Sequence, residues 1–539
     1  MNYKLQNPVI PGYYPDPSII RVGDDFYLAC SSFEMSPGLP IFHSKDLAHW
    51  EQIANAIGPE NGLHMEKNSG VGGLMAPTLR YNDGTYYIIN TNFADKGNYI
   101  ITAKDPAGPW SEPHWLDDVP GIDASFFFDN DGKCYVMGTG ECWDNGAGKM
   151  ERGIWLAEFD IENFKLKGEP FTIFNSGMRN ADSPEAPHLY HIGDYYYLMI
   201  AEGGTEHYHS VVVARSKELF SFFEGNPANP VLTHRHMGYR CPITNVGHAD
   251  WVQLKDGSWY AVFLASRLID GKSKNLGRET FICPVVWERD WPLFSPETGK
   301  VEWSYDGPES LKEHTFEKQP SRVDFDSEKL PLNMVSWGNL NENTWSISDS
   351  KLTLKCIHQM LADDIRQESF EVNLSDDNYV AFLGERQCAV DCTATCQMSF
   401  MPNGQETAGL AIVQAMNHQL HIERALSEGK QVLRAVLVTA DYDRPPYFPG
   451  FSCTTNRQIL GEVAWDSSDI ILQLNIKGED FTIKYGSDEN SLQELCKVDG
   501  SLINPEKVGC MTGTLIGMFA TGNGEDIDNH AEFDWFEIR

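Results

Sequence analysis

Positive charge is scarce in this chain: 42 Lys plus Arg stand against 77 Asp plus Glu, a formal net charge of −35 over 539 residues. A field of that sign repels phosphate backbones and anionic headgroups, which argues against nucleic acid and membrane surfaces as partners and leaves uncharged ligands unaffected. Long hydrophobic runs are missing too. No stretch approaches the roughly 18 apolar residues of a membrane span, and the opening MNYKLQNPVIPGYYPD has no basic start followed by an apolar core. The expectation is a soluble, cytoplasmic protein; a secreted or periplasmic form trimmed of its signal would read the same. Paired cysteines are also lacking. The twelve cysteines include no CxxC, and several sit in strand-like runs such as YLACSSF and KCYVMG, which suits reduced, buried thiols. Cys388, Cys392 and Cys396 recur every four residues. A metal site is one reading, but zinc ligands usually come as tighter Cys pairs, and an even spacing places three thiols on one face of a long strand.

What the chain does have is apolar and aromatic material, 41% and 12% of its residues, enough for large cores and too much for a disordered chain. Its length gives a prior of about two to four domains. One short pattern repeats: a Gly/Asp turn, then aromatics, then an apolar run, as in GDDFYLACSSF, NDGTYYIINTNF, NDGKCYVMGTG, HIGDYYYLMIAEG and KDGSWYAVFLAS. Aligned on one tyrosine, the copies bring Tyr27, Tyr87, Tyr135, Tyr197 and Tyr260 into register at separations of 60, 48, 62 and 63. Each copy reads as a hairpin turn entering a β-strand, and a unit of about 60 residues holds one four-stranded blade. Five such units over residues 1–305 predict a five-bladed β-propeller in an all-β protein. A β-sandwich would not produce five long, near-equal periods.

After about residue 305 the composition changes. A linker-like DGPESLKEHTFEKQPSR occupies the boundary, placed at 306–323, and 324–539 alternates strand-like runs (SKLTLKC, AGLAIVQAM, QVLRAVLV, IILQLNIK, DFTIKYG) with polar turns. That pattern predicts an antiparallel β-sandwich. Its first and last strands can meet, so Asp324 or Asp326 and Asp534 are candidates to share a structural Ca²⁺; solvated edge carboxylates are the alternative reading.

The propeller register exposes the chemistry. Eleven or twelve residues before the aligned tyrosines stand Asp16, Met75, Asp123, Glu185 and His248, and equivalent positions on innermost strands would all point at one axis. Prolines flank Asp16 (Pro15, Pro17) and Glu185 (Pro184, Pro187), fixing the backbone direction of groups that must be aimed. An isolated Asp-Pro is usually a turn or cap; three acids in matching phase are not. Clustered carboxylates repel, so at least one should keep its proton near neutrality. Glycosidic cleavage needs that division, one acid protonating the leaving oxygen while an ionised carboxylate activates water or attacks carbon. Glu185, the longer side chain, is the expected acid, Asp16 the base, and Asp123 the neighbour that keeps Glu185 protonated and oriented. No cofactor is needed for this chemistry.

YPDPS, SGVGGLMAPTLRYNDGTYY, GIDASFFFD, SPEAPHLY, AEGGTEHYHS, VGHADWV and LGRETF, in this order, resemble glycoside hydrolase family 43, and more closely its two-domain β-xylosidase and α-L-arabinofuranosidase branch. The resemblance implies an inverting, exo-acting hydrolase that releases terminal β-D-xylose or α-L-arabinofuranose from xylo- or arabino-oligosaccharides. It implies Arg278 as the sugar-binding arginine, with a surface ion pair to Glu279 as the alternative. It also implies His248 as an axial histidine that in some members contacts a cation or its water shell; a hydrogen-bonded core histidine is the other reading. Met75 stands where the family commonly has Trp, and Ala186 where Gly usually follows the acid, so the exact sugar is open. Phe33 and His207 or His209 are further wall candidates. In the two-domain relatives a sandwich loop reaches the pocket rim, and the matching stretch is GCMTGTLIGM, around Met511 to Thr514, for which a plain strand turn is an equally good reading. Two competing functions remain: a fructan-type retaining glycosidase, whose Arg-Asp-Pro motif is absent, and a non-catalytic sugar-binding propeller, which would not need all three acids with Arg278. Self-association is compatible with the sequence.

Overall fold

Apolar alternation and turn pairs dictate strands almost everywhere, and a computed structural model describes residues 3–63, 72–92, 95–144, 150–176, 181–362, 379–442, 453–508 and 511–539. Among the described residues the single α-helix is Pro505–Val508, and no helix is long and apolar enough to cross a membrane. The first 295 residues form five four-stranded antiparallel sheets, each from strands that follow one another in the chain, with Met35–Ser36 alone set aside within the first. Sheet I begins with Ser18–Val22 and Asp25–Ala29, sheet II with Thr78–Asn82 and Thr85–Asn92, sheet III with Ile122–Phe128 and Cys134–Asp144, sheet IV with Glu185–Ile192 and Tyr195–Glu202, and sheet V with Ile243–Gln253 and Trp259–Arg267. The five aligned tyrosines all fall on second strands, just past the expected hairpins. One two-residue hairpin shows why: Asn82 pairs with Thr85 across Asp83-Gly84, both with positive φ, the backbone that matches a right-handed strand twist.

The first strands touch one another in sequence, and that of sheet V returns to that of sheet I. The N-terminal Lys4–Gln6 pairs antiparallel with Ser304–Asp306, tying the ends of this region together. Where the five first strands converge, a buried polar layer crosses the sheets. Arg80 donates to Asp250 at 2.9 Å, to Ser18 Oγ at 3.1 Å and towards His188 Nδ1 at 3.0 Å. Ser18 Oγ also donates to Asp250. Burial pushes His188 down to about 3, so Arg80 is the cation of this layer.

Two larger antiparallel sheets follow, of eight and six strands. Leu352, Ala394, Leu472 and Phe533 of one and Leu410, Ile422, Leu433 and Met518 of the other join a single apolar core. Arg322–Val323 pairs with the last strand, His530–Ile538, so the first and last strands do meet. Cys392 and Cys396 point into that core from Asp391–Ser399; Cys388 lies before the strand and is exposed, so two thiols rather than three share the face. A two-residue ladder, Met35–Ser36 with Ser336–Trp337, joins the N-terminal sheets to the C-terminal pair.

Candidate active site

Four of the phase-matched residues sit at or shortly before the starts of the first strands and His248 lies midway along Ile243–Gln253, and the backbone at these positions is unusual. Asp16, Asp123 and His248 have φ of 55°, 53° and 51°, and at the fourth position Ala186, next to Glu185, has 54°. The left-handed region costs an L-residue about 1–2 kcal/mol, and such strain is retained where it aims a functional group. Pairing registers slip at Ile122/Ser125, Glu185/His188 and Gly247/Asp250. A bulge of this kind turns side chains out of the regular in-and-out alternation.

Asp16 is buried. Ser31 Oγ donates to its Oδ2 at 2.6 Å, Arg278 Nη1 reaches its Oδ1 at 3.2 Å, and His248 Nδ1 lies 3.4 Å from the same oxygen. Burial pushes the carboxyl upward, but Arg278, then His248 and the Ser31 hydrogen bond, outweigh it and hold Asp16 below the usual carboxylate range. Asp123 goes the other way. Burial, then the charges of Glu185 and Asp16, push it up to about 8, against a 3.0 Å hydrogen bond donated by Ala186 N–H. Glu185 is raised as well, by burial and Asp16, although Arg152 Nη1 approaches its Oε1 at 2.7 Å and pulls in the opposite direction. One carboxylate is therefore kept ionised beside two that favour holding a proton.

Arg278 is 3% exposed and donates to Asp16, to Thr205 Oγ1 at 3.0 Å and to Tyr13 OH at 3.4 Å. The ion pair with Glu279 does not form: Glu279 is taken by Arg267, at 2.7 and 2.8 Å, and by Gly12 N–H. Phe33 lies with its ring centroid 5.2 Å from the Arg278 guanidinium and stacks on Tyr13. Phe33 and Tyr13 belong to an apolar cluster with Val335, Trp337 and Phe519 of the C-terminal region, against which Met75 and Met511 pack. Tyr13 OH also donates to the Met511 carbonyl, and Thr514 N–H donates to Asn275 O at 3.0 Å. The segment Met511–Thr514 thus lies against Tyr13 and Asn275; Gly509 and Cys510 of that stretch lie outside the described residues, as do residues 69–71 of the SGVGG motif.

Of the two candidate wall histidines, His207 stacks on Tyr239 at 3.8 Å. His209 is the buried one, its Nδ1 2.9 Å from Asn245 O, with burial pushing it down to about 3. The calcium site expected at Asp324 and Asp534 does not fit the residues present. Asp324 is exposed, Asp534 takes a hydrogen bond from Gln397 and lies 3.4 Å from Lys351, and among the described residues no three His, Cys, Asp or Glu cluster as metal ligands. The meeting strands were legible, but a lysine already neutralises the carboxylate. His248 is buried, and burial lowers it against the pull of Asp16. Sequence reasoning missed Ser31, Tyr13, Thr205 and Arg152. Thr205 and Ser31 stood inside motifs already singled out; nothing near Arg152 distinguishes it from any surface arginine.

The chain matches the family model "Glycosyl hydrolases family 43" over residues 5–292 and "Beta xylosidase C-terminal Concanavalin A-like domain" over 322–539. It is 39% identical to a xylosidase/arabinosidase of Butyrivibrio fibrisolvens, covering 99% of this chain and 98% of that protein. To a non-reducing end alpha-L-arabinofuranosidase of Bacteroides ovatus it is 38% identical, covering 99% and 94%. Among solved structures, a xylan beta-1,4-xylosidase from Bacillus halodurans superposes with a TM-score of 0.87 at 28% identity, over 99% of this chain and 100% of that one.

Proposed function

The chain belongs to glycosyl hydrolase family 43 and is a glycosidase, and from that premise we propose that it removes terminal β-D-xylose and α-L-arabinofuranose units from hemicellulose-derived oligosaccharides with inversion of configuration. The five consecutive sheets are read as blades of a propeller over residues 1–305, 306–323 as the linker, and the two C-terminal sheets as a β-sandwich that completes the pocket rim.

The observation that carries the mechanism is the opposite tuning of the acids. Asp16, kept ionised by Arg278, accepts the proton of the attacking water. Glu185 delivers a proton to the leaving oxygen. Asp123, which titrates high, shares a proton with Glu185 and holds the Glu185 loop through Ala186 N–H. Arg152, 2.7 Å from Glu185 Oε1, pulls against that proton, and burial with the Asp16 charge outweighs it. Arg278 and Phe33 provide one polar and one apolar wall for a small sugar.

Leaving-group dependence is the test. Glu185→Gln is expected to cripple hydrolysis of xylobiose while sparing much of the rate on nitrophenyl glycosides, whose leaving group needs no proton. Asp16→Asn is expected to abolish both. Equal losses on both substrates would reject the roles. Early ¹H NMR spectra of an aryl β-xyloside digest should show α-xylose first; β-xylose first would reject inversion, which requires carboxyl groups about 6.5–9.5 Å apart.

A further inference from the structure

We propose that His207, Tyr208 and Tyr239 form a stacking platform for the pyranose rings that follow the cleaved unit, a subsite outside the ring of acids; the proposal rests on the glycosidase reading above.

The argument starts from chain direction. First strands leave the face that carries Asp16, Asp123 and Glu185, so second-to-third strand loops, and connections from a fourth strand to the next sheet, return to that face. The loop between Tyr195–Glu202 and Ser210–Ser216 carries His207 and Tyr208, and the connection between Glu224–Gly225 and Ile243–Gln253 carries Tyr239. Thr205 in the same loop accepts from Arg278, which places Tyr208 three residues from a group touching the Asp16 arginine. Three residues span at most about 10 Å. Tyr208 therefore lies within about 10 Å of the Thr205 that Arg278 touches.

Its construction is that of a prepared surface. The His207 and Tyr239 rings stack at 3.8 Å and 21°, Tyr208 meets His207 edge-on at 75°, and the two tyrosine hydroxyls lie 3.3 Å apart. Yet Tyr208 and Tyr239 are 60% and 69% exposed, the most exposed large hydrophobic side chains among the described residues. Exposed aromatic surface beside a pocket marks a ligand surface. Tyrosine offers an apolar face with a polar tip, which suits a ring with C–H faces and equatorial hydroxyls. Glu206 beside the cluster and the overall charge of −35 disfavour an anionic occupant.

Chain-length dependence tests it. For the wild-type enzyme kcat/KM should rise about five- to tenfold from xylobiose to xylotetraose, the range of one or two aromatic stacking contacts. Tyr239→Ala and Tyr208→Ala should flatten that rise through KM, and Tyr239→Phe should restore most of it. The rate on an aryl xyloside, which has no sugar to reach the platform, serves as the internal reference. A wild-type rate independent of chain length, or a rise that survives Tyr239→Ala, would overturn the proposal. Absence of all glycosidase activity would instead overturn the reading beneath it. Calorimetric binding of xylotetraose to the Tyr239→Ala and unsubstituted proteins would then decide the platform by itself, equal affinities rejecting it.

Discussion

Asp123 illustrates how one buried residue sets both activity and stability. Its carboxyl titrates near 8 in the fold against about 3.9 in an unfolded chain, so between those values the folded state binds the extra proton. Stability is then lost as pH rises from about 4 to about 8. Asn keeps an oxygen to accept the Ala186 N–H and has no charge to bury. Asp123→Asn should therefore raise Tm at pH 7.5 by a few degrees, show no gain at pH 4, and lose activity at both; an equal Tm change at the two pH values would contradict the linkage. Asp16 obeys the opposite sign. Its pKa lies below the ordinary value, so its contribution is present at neutral pH and disappears as pH falls through the folded pKa. Arg152 tunes the alkaline side. Because its charge lowers Glu185, Arg152→Gln should move the alkaline limb of the kcat/KM profile to higher pH, and a limb that stays in place would remove Arg152 from the acid's environment.

At the scale of the element, the first strands do two jobs in adjacent positions. Their starts, bent by bulges and positive φ, hold the acids; two to five residues further on, the same strands supply Ser18, Arg80, Ser125, His188 and Asp250 to the buried polar layer. An ion pair buried this deeply adds little by itself, but losing one partner costs about 3–5 kcal/mol, because the other charge is stranded. Asp250→Ala should therefore lower the unfolding free energy measured by denaturant titration by that much and disorder the acids above it. Replacing Arg80 and Asp250 together by Met and Leu should recover most of the stability. A single variant as stable as the parent would show that water reaches Arg80.

For the whole molecule the decisive feature is the joint between the two regions. Tyr13, Phe33, Val335, Trp337 and Met511 share one apolar cluster, and a Cβ at Gly513 would come within 2.5 Å of Tyr13 Cβ. Gly513→Ala should push the rim segment off Tyr13, which donates to Met511 and accepts from Arg278, raising KM for short substrates about tenfold with little change in Tm. Deleting residues 320–539 should cost most of the exo-activity even where the remaining sheets fold. A folded fragment with undiminished kcat/KM on xylobiose would leave the second region a tether only.

Local chemistry wrote much of this into the chain. Turn residues followed by aromatics placed five hairpins and their second strands, because a turn of two to five residues and a period-2 strand are decided within about ten residues. The phase common to Asp16, Asp123, Glu185 and His248 followed from that repeat, and the motifs around them carried the family. What tertiary structure alone decided were pairings between residues far apart. Arg267 rather than Arg278 took Glu279, Lys351 met Asp534, Arg152 came to the acid, and His207 stacked on Tyr239 while His209 turned in. Each depends on which of several equally suitable partners the packing brings within about 3 Å, a choice that charge and spacing along the chain leave open.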